Sequence, residues 1–390
     1  MKRVLIIEAQ IKQYRAPFYA QLHEALQTEG IELRVAYGDP PPAESRKNDT
    51  CDLSHDYGKK VGNHWFCMNR LLYQPLLIES LKSDLVIVDQ GNKYLLNYAL
   101  LPLSRLGLRK IAFWGLGENR QAGQIRVSEW YRRTTLNWVS WWFAYTKGTA
   151  RYLQEHGVPP SKITAVQNSV DTREIRECVR ALSSQDRTAL RASLGIPPGA
   201  PVGIFCGMLD RVKSLPFLIE SSRIIRARIP AFHLILVGGG PEQDSVHRLA
   251  EDFDWVHMVG PQFGKRKAEF MAVSDAFLLP GRVGLAILDA FAAGLPMLAT
   301  DLSIHGPEME YLEEGVNGLK SEPQVGAYAE AVASVLSRGD RLRQLQEGAE
   351  VSSGKYSIEN MVDNFATGIL ACLSPTRQRE WIAENMNSPR

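Results

Sequence analysis

Ser274–Asp301, SDAFLLPGRVGLAILDAFAAGLPMLATD, decides how the chain is read. Its first apolar run, Phe277–Leu279, is closed by Pro280 and Gly281 and has the composition of a parallel strand covered on both faces. Gly284 then opens a short helix, and Pro296–Thr300 returns as a second buried strand. The first N–H groups of a helix lack partners and carry partial positive charge, so a glycine turn in front of them suits an anion, most often a phosphate. Asp289, about a turn and a half into the helix, is placed to accept hydrogen bonds from sugar hydroxyls. The competing reading is a plain strand-turn-helix of an α/β core, with Asp289 facing solvent.

The 390 residues exceed what one hydrophobic core usually holds, so two domains are expected. A net charge of +2 with 23% charged residues is close to balance, which argues against a chain that coats nucleic acid. Cys51, Cys67, Cys178, Cys206 and Cys372 are scattered and contain no CxxC pair. Neither a disulfide framework nor a zinc site is indicated, and the expected compartment is the cytosol. Between Arg3 and Glu8 lie only four apolar residues. That is too short for a signal-peptide core, and no apolar run approaches the length of a membrane span.

Working outward, short apolar runs alternate with helical patterns. Val4–Ile7, Leu33–Ala36, Leu85–Val88, Ile111–Trp114, Trp142–Tyr145 and Ile163–Val166 read as strands of a first parallel sheet. The polar interval Gly38–His64 reads as a long surface loop. The charged stretch Arg173–Pro201, ending in Pro197-Pro198-Gly199-Ala200-Pro201, marks a domain boundary. Strands at Val202–Cys206, Phe232–Val237, Val256–Val259, Ala276–Leu279 and Pro296–Thr300 form a second series, capped by helices at Ala327–Leu336, Arg341–Val351 and Ile358–Leu373. The expected fold class is α/β, with two Rossmann-like doubly wound domains. They span 1–175 and 202–373, joined by a linker over 176–201 and followed by a polar tail over 374–390. Ligands of such sheets settle at the carboxyl ends of the strands.

Four features fall at those ends in the second series: Gly207-Met208-Leu209-Asp210-Arg211-Val212-Lys213, Gly238-Gly239-Gly240-Pro241, Gly260-Pro261 and the Pro280–Gly284 turn. Each glycine group alone is explained by a tight strand-helix turn. Their common edge, with Lys213 and Arg282 supplying positive charge, describes a diphosphate site.

The order G-M-L-x-x-x-K, LILVGGGP, VHMVG, SDAFLLPG, GLAILDAFAAGLPMLATD and PEMEYLEEGVNGL resembles the carboxyl-terminal domain of the retaining glycosyltransferases of family 4, which have the GT-B fold. Gln167-Asn168-Ser169-Val170-Asp171 is similar to that family's segment before the linker, and Tyr14-Arg15-Ala16-Pro17-Phe18 to an opening loop of one branch. The resemblance implies two domains facing a central cleft, a nucleotide-diphosphate sugar as donor in the second domain and a carbohydrate or lipid-linked acceptor in the first. It implies retention of anomeric configuration, no metal and no cofactor besides the substrate, and a place in cell-surface polysaccharide or glycolipid assembly.

Several site residues carry over by resemblance. The family's paired glutamates, with seven residues between them, fall on Gly281 and Asp289, so only the second acid is kept; Asp289 is expected on the ribose hydroxyls. The family's diphosphate-binding arginine falls on Met208, while its lysine is kept as Lys213. Arg282 is expected to replace the lost charge. The donor set is then Met208, Lys213, Gly239, Pro261, Gly281, Arg282, Val283, Gly284, Leu285, Asp289 and Glu308, with Lys213 and Arg282 stabilising the leaving diphosphate. A histidine that the family presents in the loop after the strand matching Ile111–Trp114 falls on Leu116. Nearby, Glu118 is either a base for the acceptor hydroxyl or a solvated loop carboxylate. Tyr14, Arg15, Asn119 and Arg120 are the acceptor-side candidates, Arg15 being equally readable as a surface arginine. Glu308 can instead serve the dipole of a helix N-terminus, and His305 reads as structural.

Trp130-Tyr131-Arg132-Arg133, with Trp138, Trp141 and Trp142, mixes cations and aromatics as a peripheral contact with the inner membrane face would, or as a core-facing helix does. Three other classes stay open. A GT-B epimerase would need acid and base groups that the sequence does not display. A silent nucleotide-sugar binder is suggested by Met208, Gly281 and Leu116. An NAD-dependent reductase is disfavoured, because the first strand runs into Glu8-Ala9-Gln10-Ile11-Lys12 without a glycine fingerprint.

Overall fold

The computed structural model describes residues 1–41, 49–117, 126–374, 376–378 and 381, the side chains of 126–129 excepted. The chain divides into two compact units. Unit 1 comprises Met1–Val170 with Ile358–Arg390, and unit 2 is Asp171–Ser357.

Unit 1 holds β1 (Lys2–Ile7), β2 (Ile31–Tyr37), β3 (Gly58–Lys60), a small antiparallel pair β4 (His64–Phe66) and β5 (Leu71–Tyr73), β6 (Leu85–Asp89), β7 (Ile111–Gly115), β8 (Trp141–Ala144) and β9 (Ile163–Ala165). The main sheet is parallel in the order β3-β2-β1-β6-β7-β8-β9. Unit 2 holds β10 (Val202–Cys206), β11 (His233–Val237), β12 (Val256–Gly260), β13 (Ala276–Leu279), β14 (Met297–Thr300) and β15 (Gly318–Ser321), parallel in the order β12-β11-β10-β13-β14-β15. The apolar runs form strands because helices cover both faces; β8 and β13 are buried at every position. In each sheet the winding reverses once, between β1 and β6 in unit 1 and between β10 and β13 in unit 2. The loops leaving these neighbouring strands part in opposite directions there and leave a crevice at their carboxyl ends.

Three expectations are corrected. The helix Ile358–Leu373 does not cap the second sheet but completes the first. Phe365 stacks on Phe143 with centroids 4.2 Å apart and meets Trp114 and Phe18 edge-on, while Met361, Val362 and Ile369 join the same core. At its C-terminal end Lys110 and Lys2 donate to the carbonyls of Cys372 and Leu373 at 2.7 and 2.9 Å, which are groups the helix itself leaves unpaired.

The expected linker over 176–201 belongs instead to unit 2. It folds into helices Arg173–Ala181 and Ser184–Ser193, the second capped by the Ser183 hydroxyl. Its arginines act as ties: Arg191 donates to the carbonyls of Val273 and Ala200 and pairs with Asp275, and Arg187 reaches the carbonyls of Ala272 and Val179.

The interval Gly38–His64 is likewise more than a surface loop. Its described part adds β3 to the sheet edge, bridges Thr50 to Lys12, and buries Leu53 and Tyr57 beneath the Tyr37 hydroxyl, which accepts the Leu53 N–H.

Candidate functional site

The crevice of unit 2 lies between the loop after β10 and the turn after β13. Gly281 shows how tightly they meet: a β-carbon placed on it would lie 2.3 Å from the Lys213 carbonyl carbon and 2.4 Å from the Val212 oxygen. No side chain fits at 281 without displacing backbone. The Arg282 N–H donates to the Val212 carbonyl at 2.7 Å, and Lys213 Nζ donates to the Arg282 carbonyl at 2.8 Å. The short 3-10 turn Arg211–Lys213 is thereby fixed onto the 280s turn, and both expected cations stand together. Arg282 is exposed and Lys213 half-buried. Desolvation, with the neighbouring Arg282 charge, lowers the Lys213 pKa against the pull of Asp210. A bound anion would relieve both effects.

Asp289 does not face solvent alone. Lys267, on the helix Gly264–Ala272, donates to its Oδ2 at 3.0 Å, both side chains being mostly covered. Desolvation works to lower the Lys267 pKa, but Asp289 and Cys206 together raise it, so the ammonium is kept charged. Burial pushes the adjacent Cys206 thiol up to about 12.

On the far side of the turn, the buried His305 accepts the Val283 N–H through Nδ1 at 3.0 Å and contacts the Thr300 carbonyl through Nε2 at 2.7 Å, which assigns the neutral Nε2–H form. Desolvation lowers its pKa accordingly. Glu308 is buried, and its Oε2 lies 2.7 Å from where a β-carbon on Gly306 would stand. Val283 is buried, Leu285 half-buried, and nothing stands within 4 Å of a β-carbon on Gly284, which leaves that side of the turn open. The helix behind it is Ala286–Ala292.

The glycines have close-packing reasons of their own. A β-carbon on Gly238 would lie 1.9 Å from the Gly207 oxygen, one on Gly240 2.6 Å from the Leu209 oxygen, and one on Gly239 2.9 Å from Pro261. The loops after β10, β11 and β12 therefore seal against one another, leaving Met208 half-exposed and Pro261 exposed at the edge. Among the described residues no group of three or more His, Cys, Asp or Glu is arranged for a metal.

Unit 1 places its candidates differently. Arg15 is not a surface arginine. Its Nη2 donates to Asn168 Oδ1 at 2.5 Å, and its guanidinium lies over the rings of Trp114 and Tyr14 at 5.1 and 5.3 Å. It ties the first loop to the segment before unit 2, while Tyr14 stays about half exposed. Glu118, Asn119 and Arg120 lie outside the described residues. Of the aromatic stretch, Trp141 and Trp142 are core and Trp138 packs against it, Tyr131 stacks on Tyr98 at 5.1 Å, and Trp130 is 65% exposed.

Residues 18–174 match the family model described as Glycosyltransferase Family 4, and residues 200–338 match that described as Glycosyl transferases group 1. Both halves thus match glycosyltransferase family models. The chain is 27% identical over 238 residues to the D-inositol 3-phosphate glycosyltransferase of Rhodococcus erythropolis, covering 57% of this chain and 52% of the relative. It is 31% identical over 183 residues to the lipopolysaccharide core biosynthesis glycosyltransferase LpsE of Rhizobium meliloti, covering 45% and 51%. The chain thus spans about half the length of the curated relatives it matches. Among solved structures, Anabaena HepE in complex with UDP superposes with a TM-score of 0.68 at 17% identity, covering 95% of this chain and 100% of that one. A Rickettsia africae glycosyltransferase superposes with a TM-score of 0.68 at 13% identity, covering 95% and 98%. These likenesses establish the GT-B fold class expected from the sequence.

The crevice edge of unit 2 contains one ion-pair partner that the sequence did not single out. Lys267 lies 22 residues before Asp289, and only the crossover from β12 to β13 brings the two together. A lysine on a predicted helix carries no signal of such a pairing.

Proposed function

We propose that the chain is a retaining glycosyltransferase that binds a nucleotide-diphosphate sugar at the carboxyl edge of β10 and β13 and transfers the sugar to an acceptor hydroxyl. The carrying observation is the Lys213–Arg282 arrangement at the point where the sheet reverses: the Lys213 ammonium is held on the Arg282 carbonyl, and the exposed Arg282 charge is near enough to lower the Lys213 pKa. Fixed positive charge of this kind stabilises a departing diphosphate without reorganising during the reaction. Lys213 and Arg282 meet the phosphates, Gly284 lets the backbone approach them, and Asp289, oriented by Lys267, accepts the ribose hydroxyls. Retention is carried over from the family resemblance. The complexes of the Anabaena neighbour with UDP and UDP-glucose make uracil the first base to test. LpsE, by its name, supports a carbohydrate acceptor in cell-surface glycan assembly.

The test is a thermal-shift screen of UDP, ADP, GDP and their glucose conjugates, followed by an assay of nucleoside diphosphate release with and without acceptor. Stabilisation by one nucleotide and acceptor-dependent release support the proposal; no nucleotide binding refutes it. Arg282→Ala is expected to weaken donor affinity about tenfold or more, as loss of a charge-assisted contact does. Unchanged affinity removes Arg282 from the site. A second reading, a binder without transferase activity, is favoured by the filled space at Gly281, which leaves no acid there to meet the sugar. Binding without release singles it out.

A further inference from the structure

The amino ends of the unit 1 strands, at the opposite edge of the sheet from its crevice, carry a charge pattern that the proposed transfer does not use. Two hollows of about 340 and 410 Å³ lie side by side there and share Gly107 and Lys110. The first crosses the starts of β7, β8 and β9, the second those of β1, β6 and β7. Arg105, Lys110 and Lys162 line the first; Lys2, Lys82, Arg109 and Lys110 line the second. Asp84 is the one acid among the described lining residues, and its Oδ2 accepts the Arg3 N–H at 2.8 Å. The whole chain is nearly balanced, with 45 basic and 43 acidic side chains, so six cations against one acid is a local excess.

Elsewhere on this sheet cations are paired: Arg3 and Arg34 share Glu32, Lys12 meets Asp49, and Lys60 meets Asp39 and Asp52. The six have no such carboxylate among the described residues. Lys110, Lys2 and Arg109 donate to the backbone carbonyls of Cys372, Leu373 and Leu108. Arg105, Lys82 and Lys162 meet neither a carbonyl nor a carboxylate among the described residues. Helix C-termini attract cations, and three helices end at this edge, Leu77–Lys82, Leu95–Arg105 and Ile358–Leu373. One cation each would answer their dipoles; twice that number is present.

The charges also converge. Burial pushes the Cys372 thiol up to about 12, and Lys110, Lys162 and Lys2 all oppose that rise, so three ammonium groups act on one point where the hollows adjoin. Crowded like charges repel one another and weaken the fold until an anion offsets them. Phosphoryl groups suit the set, since each brings about two negative charges and several acceptor oxygens to lysine ammoniums and arginine forks. Two hollows joined at Lys110 suit two such groups on one molecule. Because the cations line concave spaces, a small ligand reaches more of them than a flat membrane surface does.

We propose that the amino edge of the unit 1 sheet binds a soluble ligand bearing two phosphoryl groups, one in each hollow, with Lys110 between them. The site belongs to unit 1 alone and does not rest on the transferase reading.

The experiment titrates the full chain with inorganic tripolyphosphate by calorimetry, with sulfate at matched ionic strength as the plain-anion control. Tripolyphosphate can also enter the donor crevice of unit 2, so wild type is compared with Arg282→Ala, with Arg105→Ala/Lys162→Ala, and with all three substitutions together. Expected is a binding event that survives Arg282→Ala, falls about 10-fold or more in Arg105→Ala/Lys162→Ala, weakens with added salt, and is not matched by sulfate. Nucleotide affinity should stay level in Arg105→Ala/Lys162→Ala. No tripolyphosphate binding in Arg282→Ala, equal affinity for sulfate, or undiminished binding in a folded Arg105→Ala/Lys162→Ala chain overturns the proposal. Retention on phosphatidylglycerol vesicles without binding of the soluble probe also overturns it and assigns the edge to a membrane. Should the double variant fail to fold, the same fall is required of Arg105→Gln/Arg109→Gln, whose side chains are both exposed, and its absence overturns the proposal.

Discussion

Gly281 gives an apparent defect of the donor motif a physical cause. The family pattern has a glutamate there, but the Val212–Lys213 backbone fills the place that any β-carbon would need. Gly281→Glu is therefore expected not to restore a lost contact but to push the Arg211–Lys213 turn away. The variant should melt several degrees lower, consistent with overpacking of about 1–3 kcal/mol, and lose nucleotide affinity; a variant that melts like wild type and binds more tightly would contradict this.

Glu8 offers a second prediction at the same scale. Its folded pKa, about 7, lies above the ordinary 4.5. Its contribution to stability is thus fully present below the ordinary value and is lost as pH rises through the folded one. Glu8→Gln should raise the melting temperature relative to wild type at pH 8 and leave it nearly level near pH 4.5. Equal differences at both pH values would show that the carboxyl is not raised. The turn before Asp289 was legible from its glycines, whereas the Lys267–Asp289 pair and the Tyr19–Glu8 contact were not. Their meaning depends on which strands become neighbours, and a strand's own residues do not encode its neighbour.

Among elements, the helix Ile358–Leu373 separates what periodicity reveals from what it conceals. Its apolar stripe predicts a helix with the observed bounds, but any apolar core would satisfy that stripe. Shape settles the choice: Phe365 enters a ring of Phe143, Trp114 and Phe18, and Gly368 comes so close to Phe143 and Thr164 that a β-carbon would stand 2.7 Å from each. Phe365→Ala should cost about 3–5 kcal/mol, measured by denaturant unfolding, and should lower the transition of unit 1 while nucleotide binding persists. Loss of binding with unit 1 still folded would place the helix elsewhere. The helices Arg173–Ala181 and Ser184–Ser193 show the opposite limit. Their charge suggested a linker, yet arginines that donate to strand-end carbonyls make charged helices part of a domain.

For the whole molecule, alternation of apolar runs predicted two doubly wound sheets, and the strand centres lie where expected. Chain continuity was the misleading guide to domain limits, because unit 2 is an insertion within unit 1. A fragment spanning 171–357 is expected to fold cooperatively by itself and to keep the nucleotide affinity of the full chain, tested by calorimetry and titration. A fragment ending at 357 but starting at residue 1 should leave unit 1 unstable, since Met361, Phe365 and Ile369 are missing from its core.

The insertion also bears on how the chain is born. During synthesis the amino-terminal domain of a tandem protein usually closes first. Here the first 170 residues must wait on the ribosome for a helix made some 190 residues later, and the inserted unit closes ahead of the one that began before it. The interval leaves the aromatic cavity around Phe143 and Trp114 uncovered, the kind of greasy opening that chaperones recognise.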